Sequence, residues 1–320
     1  MRIGVVLCTY NGERYLPEQL DSILAQERLP DEILAQDDAS TDRTLAILDS
    51  YAGKAPVPFD IVRNRQNLGF VRNFEQAIAR CSADIVAMCD QDDCWRCDKL
   101  KKIQEVFLSD RRVSVVFSDA EMVDECLAFL GYGLLQALNV SEVDLERVRR
   151  NDFLPVLLRR NICSGATMAF RAERRPRMLP IAEGAYHDEW MALIAAAFGE
   201  LAFCAEPLIR YRQHAANLLG VRPESAVERI RKALHPNRLK EERRRLKVLK
   251  QFDERVFALG APAEVLGEVR GKLEHLRART SLPSARLDRL QPVMHELASG
   301  RYAKYSSWRG AVRDLLGPEW

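Results

Sequence analysis

Residues 84–93 read Asp-Ile-Val-Ala-Met-Cys-Asp-Gln-Asp-Asp, an apolar run that passes without a break into Asp90, Asp92 and Asp93. A short apolar run ended by polar residues predicts a buried strand of a parallel sheet. The same pattern recurs upstream. Residues 3–8 (IGVVLC) run into the polar turn Thr9 to Arg14, and residues 32–36 (EILAQ) run into Asp37-Asp38-Ala39-Ser40. Helical spacing lies between these runs, at Leu16, Leu20, Ile23 and Leu24, and again at Thr44, Ile47 and Leu48 behind Ser40, read as a helix N-cap. A further strand is predicted at 60–63 and a further helix at 70–80. This alternation predicts an α/β fold with an open, mostly parallel central sheet and flanking helices. Such sheets bind ligands beyond the carboxyl ends of their strands, and all three polar clusters fall there.

Downstream, strands are expected at 113–118, 165–170 and 201–205, and a helix from Trp190 to Phe198. From Glu224 the pattern changes to long helices broken at Pro236, near Gly260–Pro262 and at Pro283. The expected organisation is a catalytic-type domain over 1–220, with a nucleotide half (1–110) and an acceptor half (111–220), followed by a basic helical region over 221–320. Charge follows that division. From Val221 onward 22 Lys or Arg face 13 Asp or Glu, against 26 and 33 before it. With 47% apolar and 29% charged residues the chain has an ordinary globular balance, which excludes disordered and fibrous classes. The acidic body and the lack of an aromatic-basic motif argue against nucleic acid as a partner.

The six-residue apolar run at the start is too short for a signal peptide, and no window reaches the length of a spanning helix. The expected location is the cytoplasm. Eight cysteines in a chain of this size read as small hydrophobes rather than a disulfide framework. Cys94 and Cys97 have half-site spacing without a second pair, which reads as structural.

The clusters suggest specific chemistry. Carboxylates at a strand end suit a hard divalent cation, and Mg²⁺ or Mn²⁺ is commonly held by one or two carboxylates plus substrate phosphates. Asp37 and Asp38 could accept hydrogen bonds from a base and a ribose. His187-Asp188-Glu189-Trp190 precedes a helical stretch and offers a general base for a hydroxyl nucleophile. In Arg210-Tyr-Arg-Gln-His214, Arg and His could neutralise a diphosphate leaving group, or His214 could ligate the cation.

Taken together, Cys8-Thr-Tyr-Asn-Gly-Glu13, Gln36-Asp-Asp-Ala-Ser-Thr-Asp42, Asn67-Leu-Gly69, Cys89-Asp-Gln-Asp-Asp93 and His187-Asp-Glu-Trp190 resemble glycosyltransferase family 2, over about residues 1–220. Trp95, Asp98-Lys-Leu100 and Tyr211-Arg-Gln-His214 with Asn217 and Gly220 are similar to its bacterial rhamnosyltransferase-like branch. The resemblance implies a GT-A fold and an inverting, metal-dependent transfer from a nucleoside-diphosphate sugar, dTDP- or UDP-linked, to a hydroxyl. It implies that Thr9, Tyr10, Asn11, Glu13, Asp38, Asn67, Asp90 and Arg212 serve the nucleotide sugar. Asp92 and His214 would serve Mg²⁺ or Mn²⁺, and Asp188 would be the base. Gly165, His187, Glu189 and Trp190 would form the acceptor side. Glu189 stands where that branch more often has an aromatic, so it competes with Asp188 for the role of base. The implied acceptor is a growing surface glycan on a lipid carrier, such as an O-antigen.

Tyr302, Tyr305, Trp308, Val312 and Leu315 would share one helical face flanked by Arg301, Lys304, Arg309 and Arg313. Residues 300–320 therefore read either as packing against the body or as a peripheral contact with the cytoplasmic face of a membrane. The basic run Lys240 to Lys247 reads as a solvated helix face with a Glu241–Arg245 pair. Two rival functions share the α/β sheet. One is a sugar-phosphate nucleotidyltransferase, which would want a Gly-rich basic loop that Thr9–Arg14 does not supply. The other is a non-catalytic nucleotide-sugar-binding scaffold, against which the intact Asp92 and Asp188 argue.

Overall fold

The computed structural model describes residues 1–215 and 237–317, so Asn217, Gly220, the break at Pro236 and residues 318–320 lie outside the described residues. The chain begins with β1 (Ile3–Thr9), α1 (Leu16–Leu24), β2 (Glu32–Asp37), α2 (Thr44–Ala52), β3 (Phe59–Arg63), α3 (Phe70–Arg80) and β4 (Ile85–Cys89). It continues through β5 (Cys94–Trp95), α4 (Lys99–Ser109), β6 (Val115–Val123), β7 (Phe129–Gly133), α5 (Leu134–Ala137), α6 (Glu142–Arg149) and α7 (Leu154–Leu157). A 3₁₀ turn, Gly165–Thr167, leads into β8 (Met168–Arg171), and α8 (Arg175–Met178), α9 (His187–Ala197) and β9 (Leu201–Arg212) follow. The C-terminal helices are α10 (Asn237–Ala258), α11 (Ala263–Thr280), α12 (Leu290–Ala298), α13 (Arg301–Tyr305) and α14 (Trp308–Leu316).

The strands form one sheet in the order β3-β2-β1-β4-β8-β6-β9-β5, with β7 beside β6. The first four strands are parallel, in the register Val5 against Ile33 and Ala87. Their mostly apolar sequences follow from that position, because both faces of the sheet are covered. Leu16, Leu20, Ile23, Leu100 and Phe107 of α1 and α4 cover one face together with Val5 and Leu7. Phe74 and Ile78 of α3 and Trp190 and Leu193 of α9 cover the other, with Val6 and Met88. Val248, Leu249 and Phe252 of α10 complete this second layer, so the helical region and the sheet share a core.

Several elements depart from the expected pattern. Ser40 is not a helix cap. Helix α2 begins at Thr44, whose N–H donates to Asp42 Oδ1 at 2.9 Å, while the Ser40 hydroxyl accepts the Asn11 N–H at 2.9 Å. β9 runs for 12 residues rather than five, because its second half pairs with the end of β6 and with β5. β5, β7 and the short helices between 134 and 157 have too few residues to show a period. The basic run of α10 is not simply solvated: Arg244 and Arg245 lie against the body. The acid pairing with this run is Glu241–Arg244 at 2.8 Å, three residues apart instead of four.

Candidate active site

The cleft lies at the carboxyl ends of β1, β2 and β4. Its floor is a lattice of side chains that satisfy loop backbone. The Thr9 hydroxyl donates to buried Asp37 Oδ1 at 3.0 Å, and Asp37 Oδ2 accepts the Ser40 N–H at 2.9 Å. Asn11 adopts a left-handed φ of 48°, and its Oδ1 accepts the Thr41 N–H at 2.8 Å. Asparagine tolerates this conformation better than most residues. Glu13 Oε2 accepts the Arg43 N–H at 3.0 Å, which ties the first loop to the start of α2.

Asp38 is buried. It accepts from Asn64 Nδ2 at 2.7 Å and from the N–H groups of Leu68 and Gly69 at 2.8 and 2.9 Å. A carboxylate has about four lone-pair sites, so one remains for a further donor. Asn67 Oδ1 accepts the same Gly69 N–H at 3.1 Å, so Asp38 and Asn67 build one loop.

Gln91, a neutral residue among the aspartates that no sequence pattern singles out, links two loops. Its amide accepts the Tyr10 N–H at 2.8 Å and donates to the Tyr10 carbonyl at 3.0 Å. A Cβ on Gly12 would lie 2.2 Å from Gln91 Oε1, which explains the glycine there. Side-chain pairing to backbone across 81 residues leaves no periodic signal in the sequence; the glycine beside Asn11 was the only cue.

The carboxylates above this floor are in a different condition. Burial first, then the charges of Asp92 and Asp188, push Asp90 up to about 7. Asp93 is raised by burial; its Oδ1 accepts the Arg212 N–H at 3.1 Å and its Oδ2 is buried without a partner. Burial lowers the fully enclosed Lys99 to about 8; its Nζ lies 3.7 Å from the centre of the Trp95 ring and donates to the Ala166 carbonyl at 2.8 Å. Asp92 and His214 are brought together, with His214 Nε2 at 2.9 Å from Asp92 Oδ2 and the imidazole tilted against Tyr15 at 4.7 Å. Among the described residues no group of three or more ligand side chains is gathered for a metal ion. One or two carboxylates plus phosphate oxygens and water are nonetheless a usual setting for Mg²⁺ or Mn²⁺, and Asp92 fits that donor set, while the His214 imidazole suits a transition metal such as Mn²⁺ better than Mg²⁺.

On the opposite wall, Asp188 sits in the first turn of α9. Its Oδ1 accepts the Glu189 N–H at 2.6 Å and its Oδ2 the Gly165 N–H at 3.3 Å. Burial outweighs these donors and pushes its carboxyl up to about 7. Such a group is half ionised near neutral pH, the condition for an efficient general base. His187 is buried and stacked on Phe74 at 4.3 Å, and neither ring nitrogen has a partner; burial lowers it to about 4. A Cβ on Gly165 would lie 2.3 Å from His187 Nε2, so the 3₁₀ turn needs glycine to pass the imidazole.

Three expected site residues turn elsewhere. Glu189 is 4% exposed and accepts from Arg244 at 2.8 Å, which fixes α10 to α9 and removes it as a rival base. Trp190 is 1% exposed, donates Nε1–H to the Met178 carbonyl at 2.7 Å and packs edge-on against Phe252, so it is core and not acceptor wall. Arg212 is 1% exposed and does not face a diphosphate. Its guanidinium lies over Tyr15, donates to the Asp92 carbonyl at 2.8 Å and pairs with Glu18. It holds the acidic loop in place from behind.

Residues 4–125 match the model of Glycosyl transferase family 2. An uncharacterized protein of Mycobacterium tuberculosis is 30% identical over 217 residues, which is 67% of this chain and 59% of that relative's length. The fold is similar to that of S. aureus TarS 1-349, with a TM-score of 0.61 at 16% identity over 98% of this chain and 90% of that one. It is also similar to the mannosyltransferase PcManGT from Pyrobaculum calidifontis in complex with GDP-Man and Mn²⁺, with a TM-score of 0.52 at 20% identity over 98% and 85% of the two chains. The family resemblance of the motifs is thus met in the family model, and the α/β GT-A fold in the structural likeness. Among the described residues no helix is long and apolar enough to cross a membrane.

Proposed function

We propose that this chain is an inverting, metal-dependent glycosyltransferase. It moves a sugar from a nucleoside diphosphate to a hydroxyl of a growing surface glycan, carried on lipid. The observation that carries the reading is the gathering of two charge sites around Asp90: the Asp92–His214 pair and Asp188, whose carboxyl is pushed up to about 7, both lie near enough for their charges to raise Asp90. The complex of the similar mannosyltransferase with GDP-Man and Mn²⁺ supports a nucleotide sugar and a divalent cation here. The likeness of the motifs to the rhamnosyltransferase-like branch supports a deoxyhexose such as rhamnose on dTDP or UDP.

Thr9, Tyr10, Asn11 and Glu13 form the rim over which the nucleotide lies. The spare lone pair of Asp38 receives a base N–H, Asn67 closes the loop around it, and Asp90 receives a ribose hydroxyl. Asp92 and His214 would hold Mg²⁺ or Mn²⁺, which would supply positive charge to offset the negative charge growing on the diphosphate. Asp188 takes the proton of the acceptor hydroxyl as its oxygen attacks the anomeric carbon from the face opposite the leaving group. The Gly165 and Glu189 N–H groups fix the carboxylate during that transfer. His187 packs against the same turn as a buried imidazole and shapes the acceptor side from beneath.

Thermal shift with nucleoside diphosphates and their sugars, in Mn²⁺, Mg²⁺ or EDTA, tests this reading. A ligand at 100 times its Kd adds about 2.7 kcal/mol, and a shift that EDTA removes is the expected result. A folded protein that responds to no nucleotide would overturn the reading, and one that binds nucleotide sugars without turnover would fit the non-catalytic scaffold.

A further inference from the structure

The C-terminal cap has a small apolar core of Leu282, Val293, Tyr302 and Ala311, beside which charged groups are buried while large apolar side chains stand outside. Asp314 is fully buried and receives Arg279 at 2.6 Å and the Tyr302 hydroxyl at 2.7 Å. Glu296 is buried against His275 Nδ1 at 2.8 Å, and Arg289 is wholly enclosed, donating to the Gly317 carbonyl at 3.1 Å. Outside, Leu287 is 88% exposed, Trp308 67%, Leu316 62%, Leu290 55% and Met294 52%. Of the fifteen large apolar side chains exposed among the described residues, seven lie between 287 and 316. Dense exposed hydrocarbon in a short stretch marks a contact surface rather than chance.

These side chains form two stripes. Leu290, Met294 and Leu297 follow helical spacing on α12; Trp308, Val312 and Leu316 follow it on α14. The two helices pack on each other. The single face expected from Tyr302 to Leu315 is not formed. The helix breaks where the Ser307 hydroxyl accepts the Gly310 N–H, which starts α14, and Tyr302 and Tyr305 turn inward. Arg286 and Arg309 are exposed at the edge, with the Arg309 guanidinium 5.6 Å from the Trp308 ring centre. Asp288 is the one exposed acid among residues 284–317.

We propose that the α12–α14 face docks on the headgroup layer of an anionic lipid bilayer. Two exposed apolar stripes on packed helices, with Arg309 beside Trp308, match an interfacial surface. The excess of exposed Arg complements anionic headgroups, and would set like charges against each other in a two-fold pairing with a second copy. The face is also wired to the catalytic wall. Glu189 of α9 binds Arg244 of α10, Glu242 of α10 binds Arg279 of α11 at 2.9 Å, and Arg279 binds Asp314 of α14. On the transferase reading, on which only this consequence rests, docking would bring the Asp188 side of the cleft to a lipid-carried acceptor.

Co-sedimentation of the full chain with phosphatidylglycerol-containing and pure phosphatidylcholine vesicles tests the proposal. Binding to the anionic vesicles is expected, at least tenfold weaker on the neutral ones and weakened by salt. The triple variant Leu290→Ser, Met294→Ser, Trp308→Ser should lose at least tenfold of this binding, and Arg309→Glu should lose part of it. All four positions are exposed, and an unchanged melting temperature verifies folding. Wild-type protein left in the supernatant, or a triple variant that binds as wild type, would overturn the proposal. So would a dimer in sedimentation velocity that the triple variant dissolves while vesicles go unbound. Calorimetry with UDP and dTDP in Mn²⁺ runs in parallel: vesicle binding without nucleotide binding would sink the transferase reading and leave this one standing.

Discussion

The two walls of the cleft treat polar groups in opposite ways. On the donor floor nearly every group is matched: Asp37 with Thr9 and Ser40, Asp38 with three N–H donors, Asn11 with Thr41, Gln91 with both polar atoms of the Tyr10 backbone. Beyond it, Asp90 and Asp188 are pushed up to about 7, one oxygen of Asp93 has no partner, and neither ring nitrogen of His187 has one. Leaving a buried polar group unpaired costs about 1–3 kcal/mol, and a fold keeps such groups where a ligand or a proton is to complete them. On the proposed reading the matched groups would supply shape and the unmatched groups chemistry. Substitutions on the two should therefore fail differently, one in stability and the other in binding or turnover.

The largest effect is expected at Asp92→Ala. Metal-dependent nucleotide binding should weaken by about 10³-fold, roughly 4 kcal/mol, with melting temperature in EDTA unchanged. Calorimetry of UDP and dTDP with Mn²⁺ reads it, and affinity that ignores both the metal and the substitution would move the cation elsewhere. Glu189→Gln should come next, at about 2–3 kcal/mol, and in stability, because Arg244 loses its buried charged acceptor and keeps, as a charged partner, only the more exposed Glu241. Denaturant unfolding measures this loss. A variant as stable as wild type but inactive would restore Glu189 as a candidate base. Asp38→Ala removes the acceptor of three donors, of which the Gly69 N–H keeps Asn67 while the Leu68 N–H is stranded, and should cost about 2 kcal/mol in stability as well as weakening nucleotide binding. Gln91→Ala, in a partly exposed pair, should cost about 1 kcal/mol with little change in turnover. If Gln91→Ala abolished turnover while leaving stability alone, the division between walls would be wrong.

A fifth contrast is in pH. Asp90 and Asp188 have raised carboxyl pKa values, so their contribution to stability is fully present below the ordinary carboxylate range and is lost as pH rises through about 7. A divalent cation needs ionised ligands and relieves the repulsion among them. Mn²⁺ should therefore raise the melting temperature more at pH 8 than at pH 5.5, and an equal rise at both would contradict the assignment of this cluster to metal.

The parallel half of the sheet was legible because β1, β2 and β4 each join an apolar run to a polar end, and a doubly covered strand has no other way to read. The three clusters pointed to the cleft for the same reason. What failed was direction. His187 to Trp190 are consecutive on a helix, where successive side chains are about 100° apart, so they cannot share one wall. Asp188 meets the Gly165 turn, while Glu189 and Trp190 face α10 and the core. Arg212 looked like a phosphate ligand because a cation near carboxylates reads that way; only the fold shows Tyr15, Glu18 and the Asp92 carbonyl around it. The tail failed at Ser306-Ser307, where one serine starts a new helix and cuts the expected face in two.

The most direct test of the central claim is the pH dependence of kcat for wild type and Asp188→Asn, with donor affinity measured alongside. Wild-type kcat should fall tenfold per pH unit below about 7, as Asp188 takes up its proton. Asp188→Asn should bind donor as wild type does and lose about 10³ in kcat. An Asn variant that turns over near the wild-type rate, or a wild-type kcat flat from pH 5 to pH 8, would contradict the account.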